Sequence, residues 1–141
     1  MNKPNHVGVE NLRIYPLARS LEKQIYHLAK ALPTDQSCSL GNDLRRSSTA
    51  VTHYTAETGH SHSYAGKLGS IQAAREAADN TIRLLETYQA AGIGQVTELI
   101  TGYISFIKQS WGLTKYIKSR QELIQSKDAA GASDELVAAR S

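Results

Sequence analysis

Apolar residues recur at every third or fourth position through most of this chain, which is the spacing of an α-helix and not that of a β-strand. The first such stretch opens at Pro16, because proline is tolerated in the first turn of a helix, and it stops before Pro33. We therefore predict a first helix with one buried face. Its apolar stripe comprises Leu17, Leu21, Ile25, Leu28 and Leu32.

A second helix is predicted to run from the capping segment 34–39 to about Thr58, with Gly59 as the residue after its end. Ser and Thr are abundant in it, so helix propensity alone supports it weakly. Small side chains do suit a helix that packs close to its neighbours. The thin apolar face comprises Leu40, Leu44, Val51 and Thr55.

Two longer helices follow. The third is capped by Ser61 or Ser63 and ends before Gly92. The fourth runs from about Val96 to near Ser126. The stripe of the third helix comprises Tyr64, Leu68, Ile71, Ala74, Ala78, Ile82 and Leu85. The stripe of the fourth comprises Val96, Leu99, Ile100, Tyr103, Ile107, Trp111, Thr114 and Ile117.

Short connections place consecutive helices antiparallel, so the predicted fold is all-α, an up-down-up-down four-helix bundle. The bundle is predicted over residues 12–126, with residues 1–11 as a flexible arm and 127–141 as a mobile tail. A chain of 141 residues is long enough for one such core but not for two.

The composition of the chain excludes several classes of function but says less about the fold. The chain is 40% hydrophobic and 21% charged, and it lacks an apolar run long enough for a membrane span or a signal peptide. We therefore expect a cytoplasmic protein. The single cysteine, Cys38, excludes a disulfide framework and a cysteine zinc site. The net charge of +3 permits an anionic partner without requiring one.

A second apolar edge is predicted on the fourth helix. At about 100° per residue, Phe106, Leu113 and Ile124 fall close together and away from the core stripe. Because a helix that is apolar on two edges usually buries both, we expect these residues at an interface between subunits. The alternative is a wide core stripe or scattered surface apolar residues.

Several short motifs are similar to those of a known protein family. They are Tyr26–Pro33, with the pattern Tyr-x-Leu-x-x-x-Leu-Pro, the segment Leu44–Arg46 and the pair Ala56–Glu57. Over residues 12–118 the chain resembles the four-helix-bundle proteins encoded in intervening sequences of bacterial large-subunit ribosomal RNA genes. The same superfamily includes the Avd-like accessory variability proteins of diversity-generating retroelements.

The chain departs from this family pattern at two places. Where the family has an Asn-Ile-Ala-Glu-Gly run, residues 54–58 have the sequence Tyr-Thr-Ala-Glu-Thr, and the glycine follows one place late at Gly59. Arg75 and Glu76 replace a small Gly-Ser pair in the third helix. We therefore expect a divergent branch with a changed contact between helices 2 and 3.

The resemblance implies a small non-enzymatic protein that assembles as a ring-like homopentamer with a basic surface. In the retroelement branch such a ring is thought to bind a reverse transcriptase and its template RNA, which is the function expected here. The alternatives are an intervening-sequence protein of unknown role and a pure protein-interaction adaptor.

Basic residues are the candidates for binding RNA or DNA, because Lys and Arg neutralise phosphates. The adjacent Arg45 and Arg46 cannot both face the core, and positions 101–120 of the fourth helix include no acidic residue. A solvated, solubilising face is the alternative, but a pentamer multiplies the charge to about +15. The candidate residues are Arg19, Lys23, Arg45, Arg46, Lys108, Lys115 and Lys118.

No catalytic or metal constellation is predicted. His53, Glu57 and His60 have the spacing of one helix face, and His62 is nearby. However, Gly59 is expected to break the helix before His60. A di-iron bundle needs repeated Glu-x-x-His pairs, and this chain has that spacing once. We therefore expect no metal, no cofactor and no enzymatic activity.

Two further expectations concern helix packing. Trp111 and Tyr103 are assigned to the core or to an interface, with a base-stacking platform as the alternative. Arg75, Asp79 and Arg83 are spaced four apart and are expected to form a partly buried ionic network that fixes helix register.

Overall fold

Residues 13–32 and 37–140 are described by the computed structural model, with side chains described for 13–32 and 39–128. This part of the chain folds into four α-helices and a five-residue π-helical segment, Ser37–Gly41. It contains no β-strand, so the all-helical fold class is confirmed. The α-helices are α1 (Ile14–Lys30), α2 (Asn42–His60), α3 (Tyr64–Ala90) and α4 (Thr97–Arg140).

The buried stripe of α1 includes two alanines that the predicted stripe omitted. Pro16 lies in the first turn as predicted, whereas Leu17 and Leu28 are only half-buried. Ala18 lies where α2 comes close, because Thr52 Oγ1 donates a hydrogen bond of 3.4 Å to its backbone carbonyl. The buried residues of α1 are Ile14, Ala18, Leu21, Ile25 and Ala29.

In α2, buried hydroxyl groups take the place of large apolar side chains. Thr55 Oγ1 donates to the backbone carbonyl of Val51 at 2.7 Å. Ser47 Oγ lies 2.7 Å from Thr81 Oγ1 of α3 and donates to the carbonyl of Ala77 at 3.1 Å. Because these hydroxyls are hydrogen-bonded, small polar residues line the contact between α2 and α3 without a large desolvation cost.

The end of α2 differs from its predicted position. The helix continues through Gly59, which is buried, to His60, and the N–H of Ser61 donates to the carbonyl of Glu57 at 2.9 Å. The expected break before His60 was therefore wrong. A glycine inside a helix costs about 1 kcal/mol relative to alanine, which burial of the surrounding residues can offset.

The connections on either side of α3 are held by side-chain caps. Ser63 Oγ accepts the N–H of Gly66 at 2.9 Å, so Ser63 is the cap of the two predicted candidates. After α3, Gly92 adopts φ +75°, which glycine tolerates best. Gln89 Oε1 then accepts the N–H of Val96 at 2.8 Å and the hydroxyl of Thr97 at 3.2 Å, which fixes the start of α4.

Each helix packs against its neighbours in sequence, and α4 also packs against α1. This arrangement is consistent with a four-helix bundle around one shared core. The close approach of α4 to α1 is made at Gly102, where an added Cβ would lie 2.5 Å from Leu21 Cδ2. The largest fully buried side chains at the centre include Tyr103, Phe106, Ile25, Leu44, Ile71 and Leu85.

The core stripe of α4 corrects the predicted one. Phe106 is fully buried, whereas the Trp111 side chain is 51% exposed. The predicted Thr114 and Ile117 are buried, and so is Ser110, which the predicted stripe omitted. A hydrophobic pattern misses Ser110 because its side chain is polar.

The described part of α4 continues to Arg140, beyond the end predicted near Ser126. The predicted arm, residues 1–11, lies outside the described residues. None of the described helices is both long enough and apolar enough to cross a membrane.

Candidate nucleic-acid interface

Three of the candidate basic residues lie together where α1 meets α2; we call Arg19, Lys23 and Arg45 the α1–α2 cluster. The Arg45 guanidinium lies 5.3 Å from the ring centroid of Tyr26, whose side chain is 51% exposed. Arg19 and Lys23 are exposed on α1 and line an open recess of about 540 Å³ together with Tyr26. The aromatic ring thus links the arginine of one helix to the basic pair of the other.

The two adjacent arginines of α2 have different environments. Arg45 is half-buried, and its Nε has no hydrogen-bond partner among the described residues. Arg46 is exposed and lines a recess between α2 and α3 with Asp43 and Asn80. Arg45 therefore braces the bundle while Arg46 faces solvent, as their angular separation on the helix predicts.

The remaining candidates, Lys108, Lys115 and Lys118, are all exposed and define the α4 lysine face. Their spacing places them on the side of α4 that carries Trp111. They do not join the α1–α2 cluster, because Trp111 contacts Arg75 of α3 whereas Arg45 packs on Tyr26 of α1. The candidates thus divide between separate faces of the molecule.

None of the candidate basic residues forms an ion pair with the described part of the chain. The ion pair found there joins Arg83 to Asp79 at 2.9 Å, and His53 Nε2 lies 3.9 Å from Glu57 Oε1; both contacts are exposed. The expected buried network of Arg75, Asp79 and Arg83 was therefore wrong. Its Asp79–Arg83 half lies in solvent, where such a pair stabilises little.

Arg75 instead supports the exposed tryptophan of α4. Its Nη1 donates to Ser110 Oγ at 3.0 Å and to Thr114 Oγ1 at 3.1 Å, and its Cζ lies 3.6 Å from the Trp111 ring centroid. Burial lowers the pKa of Arg75, and the charge of Glu76 opposes this shift. This contact could not be predicted from the sequence, because Arg75 and Trp111 are far apart in the chain.

Lys67 is a basic residue with a structural role that the sequence did not indicate. Its Nζ donates to the backbone carbonyl of Thr58 at 3.1 Å, near the C-terminus of α2. Burial lowers the pKa of Lys67. The bond connects the start of α3 to the end of α2 and satisfies a carbonyl at a helix C-terminus.

The predicted interface residues have three different environments. Phe106 belongs to the core of this chain, so its assignment to a subunit interface was wrong. Leu113 is half-buried and packs against that core, and Ile124 is 38% exposed. The C-terminal half of α4 nevertheless carries an apolar strip, which we call the α4 seam; it comprises Leu113, Tyr116, Leu123 and Ile124.

The histidine-rich end of α2 offers no metal site in the described structure. His53, His60 and His62 are exposed, and no group of three potential metal ligands occurs among the described residues.

The all-helical fold was compared with solved structures. It is shared with a crystal structure of a protein of unknown function from the S23 ribosomal protein family of Bacteroides thetaiotaomicron. The TM-score is 0.56 and the sequence identity 20%, over 75% of this chain and 92% of that one. At this identity the likeness concerns the fold alone.

The family of the chain is identified by a match between its sequence and a family model. The model of the 23S rRNA-intervening sequence protein family matches residues 10–108, and the chain belongs to that family. No curated protein matches the chain. The predicted resemblance to intervening-sequence proteins is therefore confirmed, whereas a place among the retroelement accessory proteins is not indicated by these matches.

Proposed function

We propose that this member of the 23S rRNA-intervening sequence protein family is a non-enzymatic, cytoplasmic RNA-binding protein that acts as a homo-oligomer. One observation carries the proposal. The seven candidate basic residues have no ion-pair partner in the described part of the chain, and all except Arg45 are exposed. Unpaired surface cations are available to neutralise phosphates and release their counterions.

The proposed recognition depends on charge and shape. The described helices present no motif that reads base pairs, and exposed lysines contact phosphates irrespective of sequence. Binding to DNA is expected to follow the same electrostatics, so RNA is preferred only where single-stranded or folded regions fit the surface.

Oligomerisation is part of the proposal. One protomer carries a net charge of +3, and its basic residues lie on separate faces. A ring of five antiparallel bundles, which the resemblance implies, carries about +15 and repeats each face five times. The exposed α4 seam is the surface that we assign to contacts between subunits.

The proposal also includes a protein partner. A reverse transcriptase is the partner that the likeness to retroelement accessory proteins suggests, although the family match is to the intervening-sequence branch. Co-purification from the native host distinguishes three outcomes: bound RNA alone, a reverse transcriptase with RNA, or proteins without RNA. The last outcome identifies an adaptor.

The test of RNA binding uses charge reversal on the α4 lysine face. We expect the double variant Lys108→Glu/Lys115→Glu to bind a mixed-sequence single-stranded RNA much more weakly, with its helicity and mass unchanged. The slope of log affinity against log salt should fall by about 0.7 units for each phosphate of the single strand that the variant no longer neutralises. Fluorescence anisotropy of labelled RNA across a salt series measures both quantities.

The matched control changes the net charge equally at other exposed positions. Arg13→Glu/Lys30→Glu alters two exposed basic residues at the ends of α1 that lie outside both basic groups and outside the α4 seam. It should weaken binding only slightly. Wild-type affinity in the Lys108/Lys115 variant contradicts the proposal, and equal losses in both variants mean that overall charge, not this surface, is responsible.

A further inference from the structure

Trp111 is an exposed aromatic side chain whose ring is held in place from one side. It is the only tryptophan of the chain, and its side chain is 51% exposed. The Arg75 guanidinium stacks against the ring at 3.6 Å and is itself fixed by hydrogen bonds to Ser110 and Thr114. An aromatic platform positioned in this way loses little conformational entropy when a flat ligand stacks on it.

The groove beside Trp111 has two walls of different character. It is an open recess of about 460 Å³ between α3 and α4. The α4 wall is apolar and consists of Ile107 and Trp111. The α3 wall is polar and mixed in charge, with Arg75, Glu76, Asn80 and the ion pair of Asp79 and Arg83. A nucleobase has an apolar face and a rim of hydrogen-bonding groups, so its chemistry matches both walls.

The charges around the groove fit the backbone of such a ligand. Lys108, Lys115 and Lys118 lie three residues before, four after and seven after Trp111, which places all of them on its side of α4. At 1.5 Å per residue they span about 15 Å of the helix. Phosphates are thus attracted to the α4 side, because the α3 wall, where two carboxylates face two arginines, carries no net charge.

We propose that Trp111 is a stacking platform for an unpaired base of RNA, with the adjoining phosphates bound by the α4 lysine face. This inference rests on the proposed RNA binding and specifies single-stranded RNA as its ligand. A second copy of the chain fits the same surface less well, because like copies of this face would bring their lysines together.

The single tryptophan makes stacking directly measurable in the wild-type protein. We expect an oligoadenylate of about ten nucleotides to quench Trp111 fluorescence on binding. An abasic oligoribonucleotide of equal length and charge should bind through its phosphates but leave the emission almost unchanged.

Substitutions separate stacking from general apolar contact. Trp111→Leu should weaken oligoadenylate binding about 5- to 100-fold, which is the range for removal of one stacked base. Trp111→Phe should restore most of the affinity, because it retains an aromatic face. Ile104→Ala removes exposed apolar surface from the same side of α4, two turns away, and should leave the affinity unchanged. Circular dichroism verifies that each variant is folded.

The outcomes distinguish this inference from the proposed function. RNA binding without quenching, or equal affinity for the abasic oligomer, overturns the stacking platform and leaves RNA binding intact. Absence of any RNA binding overturns both. A Trp111→Leu variant that dissociates into smaller species shows that a second copy occupies the groove, and this result also overturns the inference.

Discussion

At the scale of single residues, Tyr103 is a core side chain whose hydroxyl group lacks a hydrogen bond. It is fully buried, and its hydroxyl has no hydrogen-bond partner within the described part of the chain. A buried polar group without a partner costs about 1–3 kcal/mol. We therefore expect Tyr103→Phe to raise the free energy of unfolding by about 1 kcal/mol, as measured by urea denaturation. Tyr116→Phe, at an exposed position, is the control and should change nothing.

The same substitution should flatten the alkaline dependence of stability. Burial raises the pKa of Tyr103, and the charge of Glu22 raises it further. The folded protein thus retains a proton that the unfolded chain releases above a pH of about 10, so stability falls as the pH rises through this range. Tyr103→Phe removes this contribution. An identical loss of stability in both proteins between pH of about 9 and 11 would contradict the assignment.

At the scale of helices, how much the sequence predicts depends on what fills the core. The stripe of α3 is apolar, and its predicted members Ile71, Ala74 and Leu85 are buried. In α4 the predicted Thr114 is buried, but the buried Ser110 is missed because it is polar. The burial of these two hydroxyl residues is explained by Arg75, which binds both hydroxyls from α3. A contact between distant segments of this kind has no local signature.

Two glycines inside helices should respond differently to replacement by alanine. Gly69 in α3 is exposed, and nothing lies within 4 Å of a Cβ added to it, whereas Gly102 in α4 faces Leu21 at 2.5 Å. Gly69→Ala should raise the free energy of unfolding by about 0.5–1 kcal/mol, because alanine favours the helix. Gly102→Ala should not stabilise, since the buried Leu21 side chain must shift to make room for the new methyl group. Thermal denaturation compares them, and equal stabilisation would contradict the close packing of α1 on α4.

At the scale of the whole molecule, the arrangement of charge could not be predicted from the sequence. The sequence predicts that Arg45 and Arg46 cannot both face the core, and in the structure Arg46 is the exposed one. The sequence does not show that Arg45 joins Arg19 and Lys23 through Tyr26, because this group forms only when α1 packs on α2. Nor does it show that the α4 lysine face lies apart from them. A continuous basic surface therefore needs neighbouring protomers to bring unlike faces together.

That requirement makes the α4 seam the decisive surface for assembly. Leu123 and Ile124 are 46% and 38% exposed, whereas Leu113 packs on the core and is a poor target because its replacement also disturbs the fold. Leu123→Glu/Ile124→Glu would place charges in an apolar contact, where an unpaired charge is costly. We expect light scattering to show smaller species with helicity retained.

The control for this last prediction adds a charge on the opposite side of the same helix. Gln125 is exposed, and its position around the helix axis is about 160° from that of Leu123 and about 100° from that of Ile124. Gln125→Glu should leave the mass unchanged. Assembly is proposed to bring the basic faces of several protomers together. The dissociated Leu123/Ile124 variant should therefore also bind RNA more weakly per protomer, although its basic residues are unchanged. An unchanged mass in that variant would show that subunits meet elsewhere, and the assignment of the seam would be wrong.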